Sequence, residues 1–275
     1  MTMKEKSISD HYGVGGILQK IKTGLNLAGK DTGSLCVDDL APIDEFHTRG
    51  RDSTTELATM SPIKTTDHVL DVGCGLGGSA RHLADTYDCH VTGIDLTDEY
   101  IEVAKQLTEY VGMQDQVQFH QGSALDLPFN DQSFDVSWTE HAQMNIPDKN
   151  RFYAEIARVT KPGGCLLFHD IFRGTGAPTY PLPWAEDDSI SALATEIEAR
   201  RSIEQAGFRI MHWVNKVEET LEFFDKVLTK IEADGPPPLG IHLLMGENAK
   251  QKLTNYVESM KRNQISVALG VVMKD

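Results

Sequence analysis

The hydrophobic positions of this 275-residue chain change their period along its length. Between residues 61 and 172, short apolar runs alternate with amphipathic stretches. Runs near 68–73, 90–95, 117–120, 134–138 and 164–171 read as buried strands. Stretches near 77–86, 98–111 and 148–160 read as helices, and in the last Phe152, Ile156 and Val159 fall on one face. Strand–helix alternation predicts a parallel sheet with helices on both faces. Residues 1–60 read as a helical segment interrupted by Gly13, Gly15, Gly16, Gly24, Gly29 and Gly33. A Gly- and Pro-rich loop is expected over 173–188. A helix near 189–206, a strand near 208–218 and a helix near 219–233 follow. The stiff break Gly235-Pro236-Pro237-Pro238-Leu239-Gly240 then precedes a helix near 248–262 and a last strand over 265–273.

The first strand–helix junction is Val69-Leu70-Asp71-Val72-Gly73-Cys74-Gly75-Leu76-Gly77-Gly78. A Gly-rich turn entering a helix exposes backbone N–H groups at the positive end of that helix, where a nucleotide-like ligand can lie. Gly73, Gly75 and Gly78 satisfy the dinucleotide pattern G-x-G-x-x-G. Asp71, Gly73, Gly75 and Gly77 equally satisfy D-x-G-x-G-x-G, the loop that binds S-adenosylmethionine. The second strand ends at Asp95, about 20 residues past the glycines, where a carboxylate accepts hydrogen bonds from ribose hydroxyls. Both cofactor classes carry that ribose. Asp95 also fits a helix cap, a role that Thr97 and Asp98 share.

Later segments separate the two classes. They are Gly122-Ser123-Ala124-Leu125-Asp126-Leu127-Pro128-Phe129, Phe134-Asp135-Val136-Ser137 and Arg158-Val159-Thr160-Lys161-Pro162-Gly163-Gly164. In this order they resemble the class I S-adenosylmethionine-dependent methyltransferases, strongly over residues 60–175. Thr139 to Lys149 is similar to the segment after the fourth strand in sarcosine/dimethylglycine N-methyltransferases. Phe46 to Arg51 and Tyr180-Pro181-Leu182-Pro183-Trp184 fit the same branch. Where several relatives have Asp and, four residues later, His, this chain has His141 and Asn145.

The resemblance implies a Rossmann-like α/β fold with a seven-stranded, mostly parallel sheet and an antiparallel last strand. It implies a helical lid over residues 1–60 and a methyltransferase domain over 61–275, with loop and cap elements in 173–263. S-adenosyl-L-methionine is the expected cofactor and S-adenosyl-L-homocysteine its product. Asp71, Gly73, Gly75, Gly77 and Glu140 are expected at the methionine end of the cofactor. Asp95 and Ser123 are expected to hydrogen-bond the nucleoside, with Leu96, Ala124 and Leu125 packed near the adenine.

His141, just past the fourth strand, is the candidate catalytic or orienting group, since an imidazole with an ordinary pKa near 6.5 suits proton transfer. Asn145 can orient the acceptor or cap the next helix. Tyr12 either reaches the site from the lid or packs the lid down. Tyr180 and Trp184 can surround a methylated ammonium or simply anchor their loop. Arg173, and also Arg49 and Arg51, can pair with an acidic group of a ligand. His47, His169 and Asp170 form no recognised metal spacing, so no metal is expected.

The expected reaction is methylation of a small acceptor, most directly the nitrogen of a glycine-, sarcosine- or dimethylglycine-type amine. Methylation of oxygen or carbon in a sugar, quinone or secondary metabolite is the alternative. A noncatalytic cofactor-binding subunit is a third reading.

Composition narrows the partners. The formal charge of −15, from 26 basic and 41 acidic residues, opposes nonspecific nucleic-acid and membrane binding. Cys36, Cys74, Cys89 and Cys165 are scattered, which suits reduced thiols and a cytoplasmic location. No run approaches the ~20 apolar residues of a membrane span. A monomer or homodimer is expected.

Overall fold

Seven strands form one sheet in the computed structural model, which describes residues 1–275. They are β1 (His68–Val72), β2 (His90–Asp95), β3 (Val117–Gln121), β4 (Phe134–Glu140), β5 (Thr160–Arg173), β6 (Phe208–Asn215) and β7 (Ile265–Lys274). The order is β3-β2-β1-β4-β5-β7-β6. Strands β1 to β5 run parallel, and β7 lies antiparallel between β5 and β6. Because β1 pairs with both β2 and β4, the connections leave it in opposite directions. That divergence opens a crevice at the carboxyl ends of the strands, the usual ligand position in such sheets.

The alternation of side chains along each strand divides the core between the two faces. Val69, Leu167 and Trp138 pack on one face, with Leu83 and Ala104 from the helices α5 (Gly78–Tyr87) and α6 (Asp98–Tyr110). Leu70, Leu166 and Phe168 pack on the other. There they meet Phe152, Ile156 and Val159 of α7 (Lys149–Val159) and Ala199 and Ile203 of α8 (Glu196–Gln205).

The first sixty residues form four helices, α1 (Met3–Tyr12), α2 (Ile17–Leu27), α3 (Val37–Asp44) and α4 (Arg51–Thr59). Ile17, Ile21 and Leu25 pack with Leu40 and Ile43 against Tyr100, Val103 and Leu107 of α6. The Glu99 carboxylate accepts from the N–H groups of Gly15 (2.8 Å) and Ile17 (3.0 Å), satisfying donors at the start of α2. Arg81 is completely buried. It donates to Asp44 (2.6 Å), to the Leu76 carbonyl (2.6 Å) and to Thr108 (2.9 Å), tying α3, α5 and α6 together.

After β6 come α9 (Val217–Asp234), the short α10 (His242–Met245) and α11 (Ala249–Lys261). They pack Phe224, Met245, Leu253 and Tyr256 over the ends of β5 and β7. Helix α8 starts at Glu196 rather than near 189. Thr195 caps it, exchanging hydrogen bonds with Glu198. The preceding residues bond elsewhere, with the Ala192 N–H donating to the Met144 carbonyl (2.7 Å) and that of Arg173 to the Ala194 carbonyl (2.8 Å). No helix is long and apolar enough to cross a membrane.

Candidate active site

The loop after β1 turns through three glycines with positive φ: Gly73 at 81°, Gly75 at 53° and Gly77 at 80°. Gly73 and Gly77 also lack room for a side chain. A Cβ on Gly73 would lie 2.5 Å from the Cβ of Ala142, and one on Gly77 2.4 Å from the Phe119 ring. The Gly73 N–H donates to the Ile94 carbonyl (2.8 Å), which ties the loop to β2. Asp95 braces it further, accepting from the N–H groups of Gly75 (3.0 Å) and Thr97 (2.8 Å). Burial raises the Asp95 pKa, and these backbone donors oppose that rise. Asp71 is buried with one carboxylate oxygen unpartnered. Burial, and then the nearby Glu140 and Asp95 charges, push its pKa well above the ordinary range.

A single cavity runs from this loop to the C-terminal helices. Asp71, Gly73, Gly75, Asp95, Leu96, Ser123, Ala124 and Leu125 line one half of it. Met144, Ile171, Trp184, Phe224, Leu253 and Tyr256 wall the other, with Tyr12, Glu140, His141 and Asn145 also on the lining. Five acidic residues, Glu5, Asp44, Asp71, Asp95 and Glu140, are on the lining and no Lys or Arg is, with Asp44 paired to the buried Arg81 behind it. Helix α1 and the turn after it pack over the opening. Ser123 Oγ donates to Glu5 (2.5 Å), Tyr12 Oη donates to Asn145 Oδ1 (2.8 Å), and the His11 ring reaches the Pro183 carbonyl (3.4 Å).

His141 follows β4 directly, with a positive φ of 47° that is uncommon for a residue with a Cβ. Its N–H donates to the His169 carbonyl (2.8 Å), so the turn is held by the neighbouring strand. Its Nε2 is buried without a partner. Burial, followed by the neighbouring His169 and His47 rings, lowers its pKa well below 6.5. The imidazole is therefore neutral at physiological pH and keeps a lone pair.

Asn145 sits in a short 3₁₀ turn (Gln143–Asn145) and is fully engaged. Besides accepting from Tyr12, its Nδ2 donates to the carbonyls of Trp184 (3.0 Å) and Ile190 (3.1 Å). It joins the end of α1, the turn after β4 and the 180s loop. Burial raises the Tyr12 pKa, so the phenol stays protonated and acts as a donor.

Several expected residues stand elsewhere. Arg173 is exposed at the end of β5, paired with Glu198 (3.0 Å), and is off the cavity. Strand β5 ends at Arg173, where the backbone N–H bonds to the Ala194 carbonyl and the side chain reaches Glu198 of α8 instead of the cavity. Arg49 pairs with Glu56 (2.7 Å) and Arg51 with Glu45 and Asp38. Tyr180 packs beside the cavity without lining it, and the ring that meets Trp184 on the lining is Tyr256, with centroids 6.1 Å apart. The Trp184 Nε1–H is used in its own loop, donating to Ser191 (3.1 Å). Gly77 shapes the loop without lining the cavity.

The residues the sequence did not single out come largely from the C-terminal helices. Phe224, Met245, Leu253 and Tyr256 carry no motif, and only the fold brings them to Met144 and Ile171. Glu5 and Asp44 are in the same position. His47, Glu140 and His169, far apart in sequence, place their ligand atoms within 4.8 Å of one another.

Comparison with known proteins agrees with this architecture. Residues 70–168 match the family model described as a methyltransferase domain. The glycine/sarcosine/dimethylglycine N-methyltransferase of Actinopolyspora halophila is 28% identical over 236 residues, 84% of this chain and 41% of that protein. The 27-O-demethylrifamycin SV methyltransferase of Amycolatopsis mediterranei is 36% identical over 133 residues, 48% of each. The chain thus spans about half, or less, of the length of these curated relatives. A geranyl diphosphate C-methyltransferase from Streptomyces coelicolor, solved with S-adenosyl-L-homocysteine, superposes with a TM-score of 0.75 at 17% identity. The match covers 100% of this chain and 99% of that one.

Proposed function

We propose, from the premise that residues 70–168 form a methyltransferase domain on the class I fold, that this protein binds S-adenosyl-L-methionine and methylates a largely apolar small molecule. The observation that carries this reading is the cavity lining, with five acidic residues of which only Asp44 is paired with an arginine, no Lys or Arg on the lining itself, and an apolar far half. The cofactor brings a sulfonium and an ammonium against a single carboxylate, a net positive charge that such a lining attracts. The pyrophosphate of a nicotinamide dinucleotide would meet the same carboxylates unfavourably.

In this reading the ribose lies at Asp95 and the adenine against Leu96, Ala124 and Leu125. The methionine end lies over the Gly73–Gly77 turn, its ammonium near the unpartnered oxygen of Asp71. Residues 1–60 act as the lid, latched by Glu5 and Tyr12. The methyl group then faces His141 and the apolar half. The acceptor attacks the methyl carbon, the carbon–sulfur bond breaks, and sulfur keeps the electron pair. The protein mainly aligns the reactants and excludes water. Neutral His141 accepts a hydrogen bond from an acceptor hydroxyl and takes its proton in concert with transfer. With a proton affinity so low, it aligns the acceptor more than it activates it beforehand.

A hydroxyl or an activated carbon fits the apolar half best. A glycine-type amine is the second reading, favoured by the match to the Actinopolyspora halophila enzyme over 84% of this chain. Its carboxylate, however, finds no cation on the lining.

Incubation with methyl-labelled cofactor and a panel of amino acids, phenols, quinols and hydroxylated polyketides tests the proposal. Label transfer to an apolar hydroxyl or carbon is expected. Transfer only to glycine-type amines would replace the first reading with the second.

A further inference from the structure

We propose that His47, Glu140 and His169 form a binding site for one divalent first-row metal ion in the wall of the cavity. The three side chains come from the segment between α3 and α4, the end of β4 and the middle of β5. All three are buried, and their ligand atoms lie within 4.8 Å of one another. Two imidazoles and a carboxylate are a donor set suited to zinc, iron(II), cobalt(II) or manganese(II).

The proton accounting around His47 points to a cation. Ser53 Oγ gives its single proton to the carbonyl of Thr48 (2.7 Å) or Gly50 (2.8 Å). Nδ1 of His47, 3.2 Å from that oxygen, must then be the donor. In a neutral ring this leaves Nε2 as a lone pair. Nε2 sits 3.3 Å from Oγ1 of Thr54, 3.5 Å from an oxygen of Glu140 and 3.6 Å from one of Glu45, and the single Thr54 proton, also in reach of Glu45 (2.9 Å) and Glu140 (3.2 Å), can serve only one of these three acceptors. Acceptors facing acceptors in a buried space repel unless a positive centre lies between them. A proton or a metal ion can fill that role.

His169 and the hydrogen bonds of Glu140 favour the metal ion. Nδ1 of His169 lies 3.3 Å from Oε1 of Glu140, and its Nε2 is buried with no partner. Whichever ring nitrogen carries the proton, one remains unused. The second oxygen of Glu140 accepts from Ser79 (2.7 Å), Trp138 (3.0 Å) and Thr54 (3.2 Å). Such outer donors fix the direction of a ligating carboxylate. Glu140 and His47 line the cavity, so an ion held here would keep an open position toward an acceptor oxygen. Bound there, the metal would supply Lewis acidity to a hydroxyl or enol ligand.

The test uses the 275-residue, tag-free chain, stripped with chelator and titrated with cobalt(II) chloride without cofactor or acceptor. Its outcome is therefore independent of the methyl-transfer reading. One cobalt per chain, with visible ligand-field bands lost on adding zinc, is the expected result. His47→Gln and His169→Gln should each weaken binding at least ~100-fold while keeping a cooperative unfolding transition. No stoichiometric uptake at millimolar cobalt, or uptake unchanged in either folded variant, would overturn the proposal. If the variants do not fold, paramagnetically shifted imidazole N–H resonances in the wild-type cobalt form decide the matter. Two such signals support the site, and none refutes it.

Discussion

The Tyr12 hydroxyl at the end of the first helix donates to Asn145 just past the fourth strand, across 2.8 Å and a sequence separation of 133 residues. This contact joins helix α1 to the turn that carries His141. The Asn145 amide in turn holds the Trp184 and Ile190 carbonyls, so one side chain links three walls of the cavity. Removing the hydroxyl leaves Asn145 short of a donor and loosens the lid without changing the apolar packing. Tyr12→Phe should raise the cofactor off-rate by ~3–10-fold, the worth of one hydrogen bond. Limited proteolysis should also cut residues 1–60 faster. An unchanged off-rate and an unchanged cutting pattern would remove Tyr12 from the latch.

Asp95 holds two backbone N–H groups and still offers lone pairs to a ribose diol. Asp95→Asn keeps the shape and removes the charge. A hydrogen bond to a charged group contributes about 1.5–3 kcal/mol, so S-adenosylmethionine affinity should fall by ~10–100-fold. Calorimetry on the folded variant measures this. Affinity equal to that of the wild type would mean that the carboxylate braces the loop and does not touch the cofactor.

His141→Ala separates alignment of the acceptor from binding of the cofactor. With a hydroxyl acceptor, kcat should drop by ~100-fold or more, while the Kd for S-adenosylmethionine stays within about threefold. A loss confined to cofactor affinity would show that His141 is part of the cofactor pocket alone.

His82 gives the fold an acid sensitivity that lies away from the cavity. Burial, and then the Arg51 guanidinium beside it, lower its pKa to about 4. In the unfolded chain the ring titrates near its ordinary 6.5. Between pH 4 and 6.5 the unfolded state therefore holds a proton that the folded state does not, and stability rises with pH across that window. Below pH 4 both states hold the proton and the dependence ends. The ring is partly exposed, so solvent screening reduces the effect. His82→Gln should flatten the loss of urea midpoint between pH 7 and pH 5. Parallel curves for variant and wild type would contradict this.

The central sheet was legible in the sequence because its strands are short apolar runs closed by Asp or Gly. Asp71, Asp95 and the glycines between β1 and α5 stand where their spacing placed them. The acceptor half was not legible. Phe224, Met245, Leu253 and Tyr256 lie on ordinary amphipathic helices, and they meet Met144 and Ile171 only through folding of the whole chain. The histidine–carboxylate cluster was hidden for the same reason, since metal spacing within one segment says nothing about three separate elements. Arg173 shows the converse error: a cation beside the site in sequence stands at the exposed end of β5, where it pairs with Glu198 of α8 on the surface. The start of α8 was misplaced because residues 189–195 include the helix formers Ala192, Leu193 and Ala194, yet their backbone groups bond to Met144 and Arg173 instead.

The most direct test of the account is a calorimetric titration of the chain with S-adenosyl-L-methionine, with NAD titrated in parallel. The acidic, lysine- and arginine-free lining predicts one S-adenosyl-L-methionine bound per chain and no heat of binding from NAD. Binding of NAD, or no binding of S-adenosyl-L-methionine to the folded protein, would contradict it.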